Sequence, residues 1–217
     1  MVFAPIGCLL FGFFVLIIPV LFILIFFNLA SFGFESLGIP SQVVVIILVF
    51  ILVGSFINIP VTRKTIVYSR EVRFGWFRIP VHHESGLAIN LGGAVIPIAV
   101  SMFLLLNAPL WPVVIATTLM IIICKFLTRP IPGRGLAIPM FIPPIFAAAF
   151  GILFAREHAA SVAFISGVLG TLIGGDLLNL RKARRLGAGI VSIGGAGVFD
   201  GIFLVGIISV LLTAFFG

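Results

Sequence analysis

Charge is what this sequence of 217 residues lacks. Asp, Glu, Lys and Arg together make up 9% of it, against about 25% in a soluble domain. Acidic residues are the rarest, six in all, and Asp176 and Asp200 are the only two aspartates. Cysteine is equally sparse: Cys8 and Cys124 lie in separate apolar segments without Cys-x-x-Cys spacing, which excludes a redox pair or a thiolate metal site. No lysine or arginine precedes the first apolar run of about 25 residues, so that run is too long and wrongly flanked for a cleaved signal peptide. Cys8 follows Gly7 too close to the N-terminus to be a lipoprotein cleavage site. The first segment is therefore expected to be a retained membrane helix.

What is present is hydrophobicity, at 62% of residues. A helix needs about 20 apolar residues to cross a bilayer, and seven segments qualify: 3–27, 42–60, 87–106, 111–127, 137–155, 159–180 and 190–215. The expected fold class is all-α, a polytopic integral membrane protein forming one transmembrane domain over 1–217, with a basic cytoplasmic loop at 61–86. The connections are strongly asymmetric. Arg63, Lys64, Arg70, Arg73 and Arg78 follow the second segment; Lys125, Arg129 and Arg134 follow the fourth; Arg181, Lys182, Arg184 and Arg185 follow the sixth. Twelve of the thirteen basic residues thus fall on alternate connections, and only Arg156 falls on the others. The positive-inside rule makes the basic side cytoplasmic, in a multi-pass protein of the cell membrane with its N-terminus inside and its C-terminus outside.

The loop at 61–86 carries Tyr68, Phe74 and Trp76 among its basic residues, a composition suited to the membrane interface and to anionic lipid. His82, His83 and Glu84 adjoin there without a further ligand at helical spacing, so they read as solvated interfacial residues rather than a metal site. Pro97 is expected to break the third segment. Pro139, Pro143 and Pro144 are expected to kink or unwind the fifth, because each proline removes a backbone donor. Such irregular backbone survives at membrane depth only where protein or a water-filled cavity surrounds it.

The chemistry gathers in Thr171–Phe203. Asp176 follows Gly174 and Gly175 and precedes Asn179; Asp200 follows Gly195 and Gly197 and precedes Gly201. A carboxylate in hydrocarbon costs roughly 2.5 kcal/mol or more, so intramembrane acids usually face the bundle interior and mark function. Gly170 with Gly174, and Gly197 with Gly201, form small-xxx-small pairs that allow close helix approach. That approach is expected to bring the two carboxylates to one site. In low dielectric such a pair shares one proton and titrates as a unit, able to activate water and protonate a leaving group. Depth is the difficulty. Asp176 lies about 7.5 Å along a helix from Arg181, whereas Asp200 lies about 15 Å from Ile190 by the same rise.

Two aspartates on the sixth and seventh segments, with the N-terminus inside, resemble the GxGD intramembrane aspartyl proteases, the presenilin and signal-peptide-peptidase group. The resemblance covers those two segments and the topology. It implies a presenilin-like bundle and a hydrolase in which Asp176 and Asp200 are catalytic, in the run Gly197-Val-Phe-Asp200, where Phe199 replaces the motif's second glycine. The proteases carry a Pro-Ala-Leu element on a later helix; Gly135–Pro139 is the segment here that could stand in for it. The runs Gly174–Asn179 and Ile193–Phe203 are also similar to a prokaryotic membrane family known only by a domain-of-unknown-function label, over most of the chain.

The first functional reading is an intramembrane aspartyl protease-like protein acting on a transmembrane peptide. The alternative is a cation- or proton-coupled transporter or channel using the same two acids, and a third is a scaffold in which they are hydrogen-bonded only. No cofactor is implied and no nucleic-acid partner. Membrane lipid is the expected partner, with a homo-oligomer possible. No Gly-x-Gly-x-x-Gly run or positioned serine nucleophile appears.

Overall fold

The computed structural model describes residues 3–62, 65–74, 77–131, 135–185, 190–195 and 201–216. It is mostly helical: α1 (Phe3–Glu35), α2 (Ser41–Gly54), α3 (Ile96–Leu105), α4 (Leu110–Leu127), α5 (Ile142–Phe154), α6 (Ala159–Gly170), α7 (Leu180–Arg185) and α8 (Gly201–Phe216). Among the described residues, three apolar stretches are long enough to cross a membrane: Phe11–Glu35, Leu110–Leu127 and Arg156–Ala183. The last is composite, with a π-helical turn at Thr171–Asp176 and a 3₁₀ turn at Leu177–Asn179 between α6 and α7.

Prolines sit where helices begin. Pro40 and Pro109 are the N-caps of α2 and α4, and Pro97 and Pro143 fall in the first turns of α3 and α5. A missing N–H costs little there, since first-turn donors have no intrahelical partner. The break expected in the Pro-rich fifth segment is therefore the start of α5. Pro97 instead comes just after a π-helical turn at Leu91–Val95 that runs on into α3, so the break expected there is a change of helix type within one helical stretch. The chain before α5 is irregular from Ile138 to Phe141.

The all-α expectation needs correction. One end of the bundle carries a mixed sheet in which β3 (Phe77–Asn90) pairs antiparallel with β1 (Asn58–Pro60) and β2 (Thr65–Phe74) and parallel with β6 (Ile190–Ile193). A second hairpin joins β4 (Arg129–Ile131) to β5 (Gly135–Ala137). The expected segments 42–60, 87–106, 137–155 and 190–215 all lose their sheet-side turns to these strands or the turns beside them. A short apolar run reads equally as buried strand or helix by pattern, and the β-branched stretch Ile190–Ile193 finds a partner strand in Gly86–Ile89. The loop expected at 61–86 is largely the β2–β3 hairpin. The side chains of His82, His83 and Glu84 lie outside the described residues.

α6 is the axis of the core. Val162 to Val168 are all buried, and the helix packs against α3, α4, α5 and α8. A helix that is apolar on all faces belongs inside. Glycines set how near its neighbours come. A Cβ on Gly170 would run into Met120, and one on Gly174 into the Ile121 carbonyl. At Gly206 of α8 a Cβ would stand 2.9 Å from the Phe164 ring and from Val168. The Gly170/Gly174 pair thus seats α4, not the last helix as expected. Gly201 meets nothing within 4 Å, and Gly197 lies outside the described residues. The C-terminal part of α1 is anchored: Phe34 is buried, with its ring 5.7 Å from that of Phe164. Phe11, Phe14 and Leu16, farther back, are exposed.

Gly174→Ala is expected to lose about 1–3 kcal/mol through overpacking on the α4 backbone. Gly201→Ala is expected to shift stability by less than about 1 kcal/mol, having open space. Unfolding titrations in mixed detergent micelles check the pair, and equal losses would contradict the packing described.

Candidate functional site

Asp176 closes the π-helical turn Thr171–Asp176. A π turn widens the helix by one residue and recurs at functional sites. The Asp176 Oδ2 accepts a hydrogen bond from the Gly194 N–H at 2.9 Å. Gly194 ends β6 in the left-handed region, at φ 69°. A Cβ there would be strained and would lie 2.7 Å from the Ala94 Cβ. The carboxylate thereby ties the end of α6 to the sheet.

The backbone ahead of Asp176 is held by Asn179, which is fully buried. Its Nδ2 donates to the Gly174 carbonyl at 2.9 Å and the Gly175 carbonyl at 3.2 Å, and reaches the Lys125 carbonyl of α4 at 3.4 Å. Its Oδ1 has no partner among the described residues. A Cβ on Gly175 would stand 2.6 Å from Ile138 Cδ1. Its bareness lets the segment after β5 lie close to the acid.

A cavity of about 280 Å³ opens beside Asp176. Its polar lining is Asp176, Thr128 and Thr171; its apolar walls come from Leu136, Ala137, Ile138 and Met140 on one side and from Gly201, Ile202 and Val205 of α8 on the other. The Thr128 hydroxyl donates to the Cys124 carbonyl at 2.6 Å, and the Thr171 hydroxyl lies 3.6 Å from Cys124 Sγ. Pro139 is exposed, but its neighbours Ile138 and Met140 line the cavity.

Asp200 lies outside the described residues, as does Gly197. Gly201, the next residue in the chain, lines the cavity that holds Asp176. The depth difficulty rested on a helix running from Ile190, and the first four residues of that run, Ile190–Ile193, are strand instead. Gly195 sits apart from the cavity, against Ser192 and Asn58. It borders a polar knot in which Asn58 Oδ1 accepts from Ser192 Oγ at 2.6 Å and from Asn90 Nδ2 at 3.1 Å. Asn90 Oδ1 in turn accepts from the Gly93 N–H at 2.7 Å.

Sequence reasoning missed Thr128, Thr171, Asn58, Asn90 and Ser192. Asn90 had a readable signal, an Asx residue just ahead of a helical run. The two threonines had none, because lone threonines are common in apolar helices.

The fold and site define a helical bundle capped by a small mixed sheet, with the Asp176 carboxylate on a cavity at the sheet end. By sequence, the chain belongs to the family described as protein of unknown function (DUF1614), which it matches over residues 52–212. No curated protein and no solved structure matches it.

Asp176→Asn keeps an acceptor for the Gly194 N–H, so it is expected to leave the fold nearly unchanged. Asp176→Leu strands that partly buried donor and should cost about 1–3 kcal/mol. Comparing the two unfolding midpoints checks the bond; equal midpoints would remove it.

Proposed function

We propose that this protein is a multi-pass membrane hydrolase in which Asp176 and Asp200 cleave a peptide bond of a membrane-embedded chain. The observation that carries this reading is the cavity itself. Asp176 and the residue following Asp200 line it together, and Leu136, Ala137, Ile138 and Met140 form one of its walls. In this reading their segment is the candidate to stand in for the Pro-Ala-Leu element of the GxGD proteases.

In the proposed reaction the ionised carboxylate takes a proton from water as the oxygen attacks the carbonyl carbon. The protonated partner then gives its proton to the leaving amide nitrogen, and the C–N bond breaks. Apolar walls suit an apolar substrate segment, and exclusion of bulk water strengthens each charge interaction.

The orientation belongs to the same proposal. The basic connections run through the β2–β3 hairpin, the β4–β5 hairpin and α7, and α7 packs against β4, β5 and β6. The sheet end is thus the basic end, and the positive-inside rule makes it cytoplasmic, with the N-terminus inside and the C-terminus outside. Cleavage would fall in the cytoplasmic half of the bilayer.

A second reading has one observation in its favour. A carboxylate and two threonine hydroxyls on one cavity are hard oxygen ligands of the kind a cation takes. Under it the aspartates bind or relay a cation rather than activate water.

The test is reconstitution in liposomes with reporter peptides spanning the membrane. Asp176→Asn and Asp200→Asn should each reduce cleavage at least a hundredfold, as loss of a general acid or base does, while the proteins stay folded. Cleavage that survives either change would sink the hydrolase reading. Cation flux that both changes abolish, with no cleavage by the unaltered protein, would establish the second.

A further inference from the structure

We propose that Lys125, Arg129, Arg181 and Lys182 form a headgroup site for an anionic phospholipid. The inference rests on the membrane reading of the helices and is independent of the hydrolytic one.

The four cations come from two connections far apart in sequence, and the fold brings them together. Asn179 reaches the Lys125 carbonyl at 3.4 Å, and α7 packs against β4, which begins with Arg129. Ala183 and Leu180 turn inward in α7, where they pack with Val191 and Leu136. Arg181 and Lys182 are left exposed, as are Lys125 and Arg129. None of the four makes an ion pair among the described residues.

Like charges brought close to one another repel, and the described carboxylate nearest in the chain, Asp176, is bonded to the Gly194 amide rather than to any of them. Among the described residues no carboxylate balances them, which leaves them available to an anion from outside the chain. Arginine presents a planar fork that matches phosphate oxygens, and lysine adds a point charge.

The source of that phosphate follows from what lies alongside. Lys125 sits in the last turn of α4, and Arg181 and Lys182 sit just before the end of the stretch Arg156–Ala183. Both stretches are apolar enough to cross a membrane, so the cations fall at headgroup depth. Next to them on the same elements, Ile122, Phe126, Leu177 and Leu178 are exposed, Phe126 at 80%. Cations bordered by bare apolar side chains match a molecule with a phosphate at one end and acyl chains at the other. A free phosphate would leave the apolar part uncovered.

The test is native mass spectrometry of the full chain, delipidated in neutral detergent and titrated with phosphatidylglycerol or phosphatidylcholine. The unaltered protein should retain phosphatidylglycerol at concentrations where phosphatidylcholine is lost. Arg181→Gln with Lys182→Gln should weaken phosphatidylglycerol roughly fivefold for each charge removed and leave phosphatidylcholine unchanged. The charge-keeping exchange Arg181→Lys with Lys182→Arg should retain most of the affinity. Thermal unfolding in the same detergent confirms that both variants fold, as exposed substitutions should. Equal retention of the two lipids, or an unmoved double variant, would overturn the site. Displacement of phosphatidylglycerol by inorganic phosphate at matching concentration would also overturn it, assigning the patch to a free anion.

Discussion

Backbone-close packing of α6 and its π-helical extension on α4 is the contact on which the rest depends. Gly170 and Gly174 have no side chain, so the Met120–Ile121 backbone of α4 can lie directly against them. If lipid surrounds the bundle, no hydrophobic effect drives its helices together, and dispersion at short range has to hold them. Dispersion falls steeply with separation, so one methyl group at either glycine is felt. Asp176 comes two residues after Gly174, and its height beside the end of α4 follows from this contact. Asn179 extends the same seam by bonding backbone on both sides of it.

The sheet does what the helices cannot. Parallel pairing of β6 with β3 carries the chain back to the bundle at Gly194, where an amide meets Asp176. Buried polar groups cost free energy unless partnered, and the polar side chains at the sheet-to-helix junction are largely bonded to one another or to backbone. Asn58, Asn90 and Ser192 use one another, and Asn90 also caps the turn into α3. Both π-helical turns lie beside a diglycine, Gly92–Gly93 in one and Gly174–Gly175 in the other. In each case bare backbone permits a close approach that a regular helix with side chains would prevent.

Much of this was legible in the residues. The apolar segments, their alternation with basic connections and the isolation of Asp176 among hydrophobic neighbours all follow from one-dimensional patterns. The presence of Asn179 and Gly175 next to the acid was visible in the sequence, but that Asn179 bonds the Gly174, Gly175 and Lys125 carbonyls was not. The pairing of Gly170 with Gly174 was legible as a close-packing signal, but its partner was not. Spacing shows that a face is bare and does not say which helix will meet it. The strands escaped for a different reason. Ile190–Ile193 and Leu87–Asn90 continue apolar runs without a break in composition, and they are strands because each has a partner strand beside it, β3 for the one and β6 and β1 for the other.

The sequence by itself determined the apolar character of the chain, the placing of its charges on alternate connections and the identity of its two rare carboxylates. Hydrophobicity and charge are properties of each residue, and their order along the chain is enough to read them. Only the tertiary structure decided where strand replaces helix, which helix the glycines seat, and that Asp176 bonds to Gly194 at the edge of a cavity reached by Leu136–Met140 and α8. Those features depend on pairs of residues distant in the chain, and a backbone donor or a bare glycine face takes its role from whatever the fold brings against it.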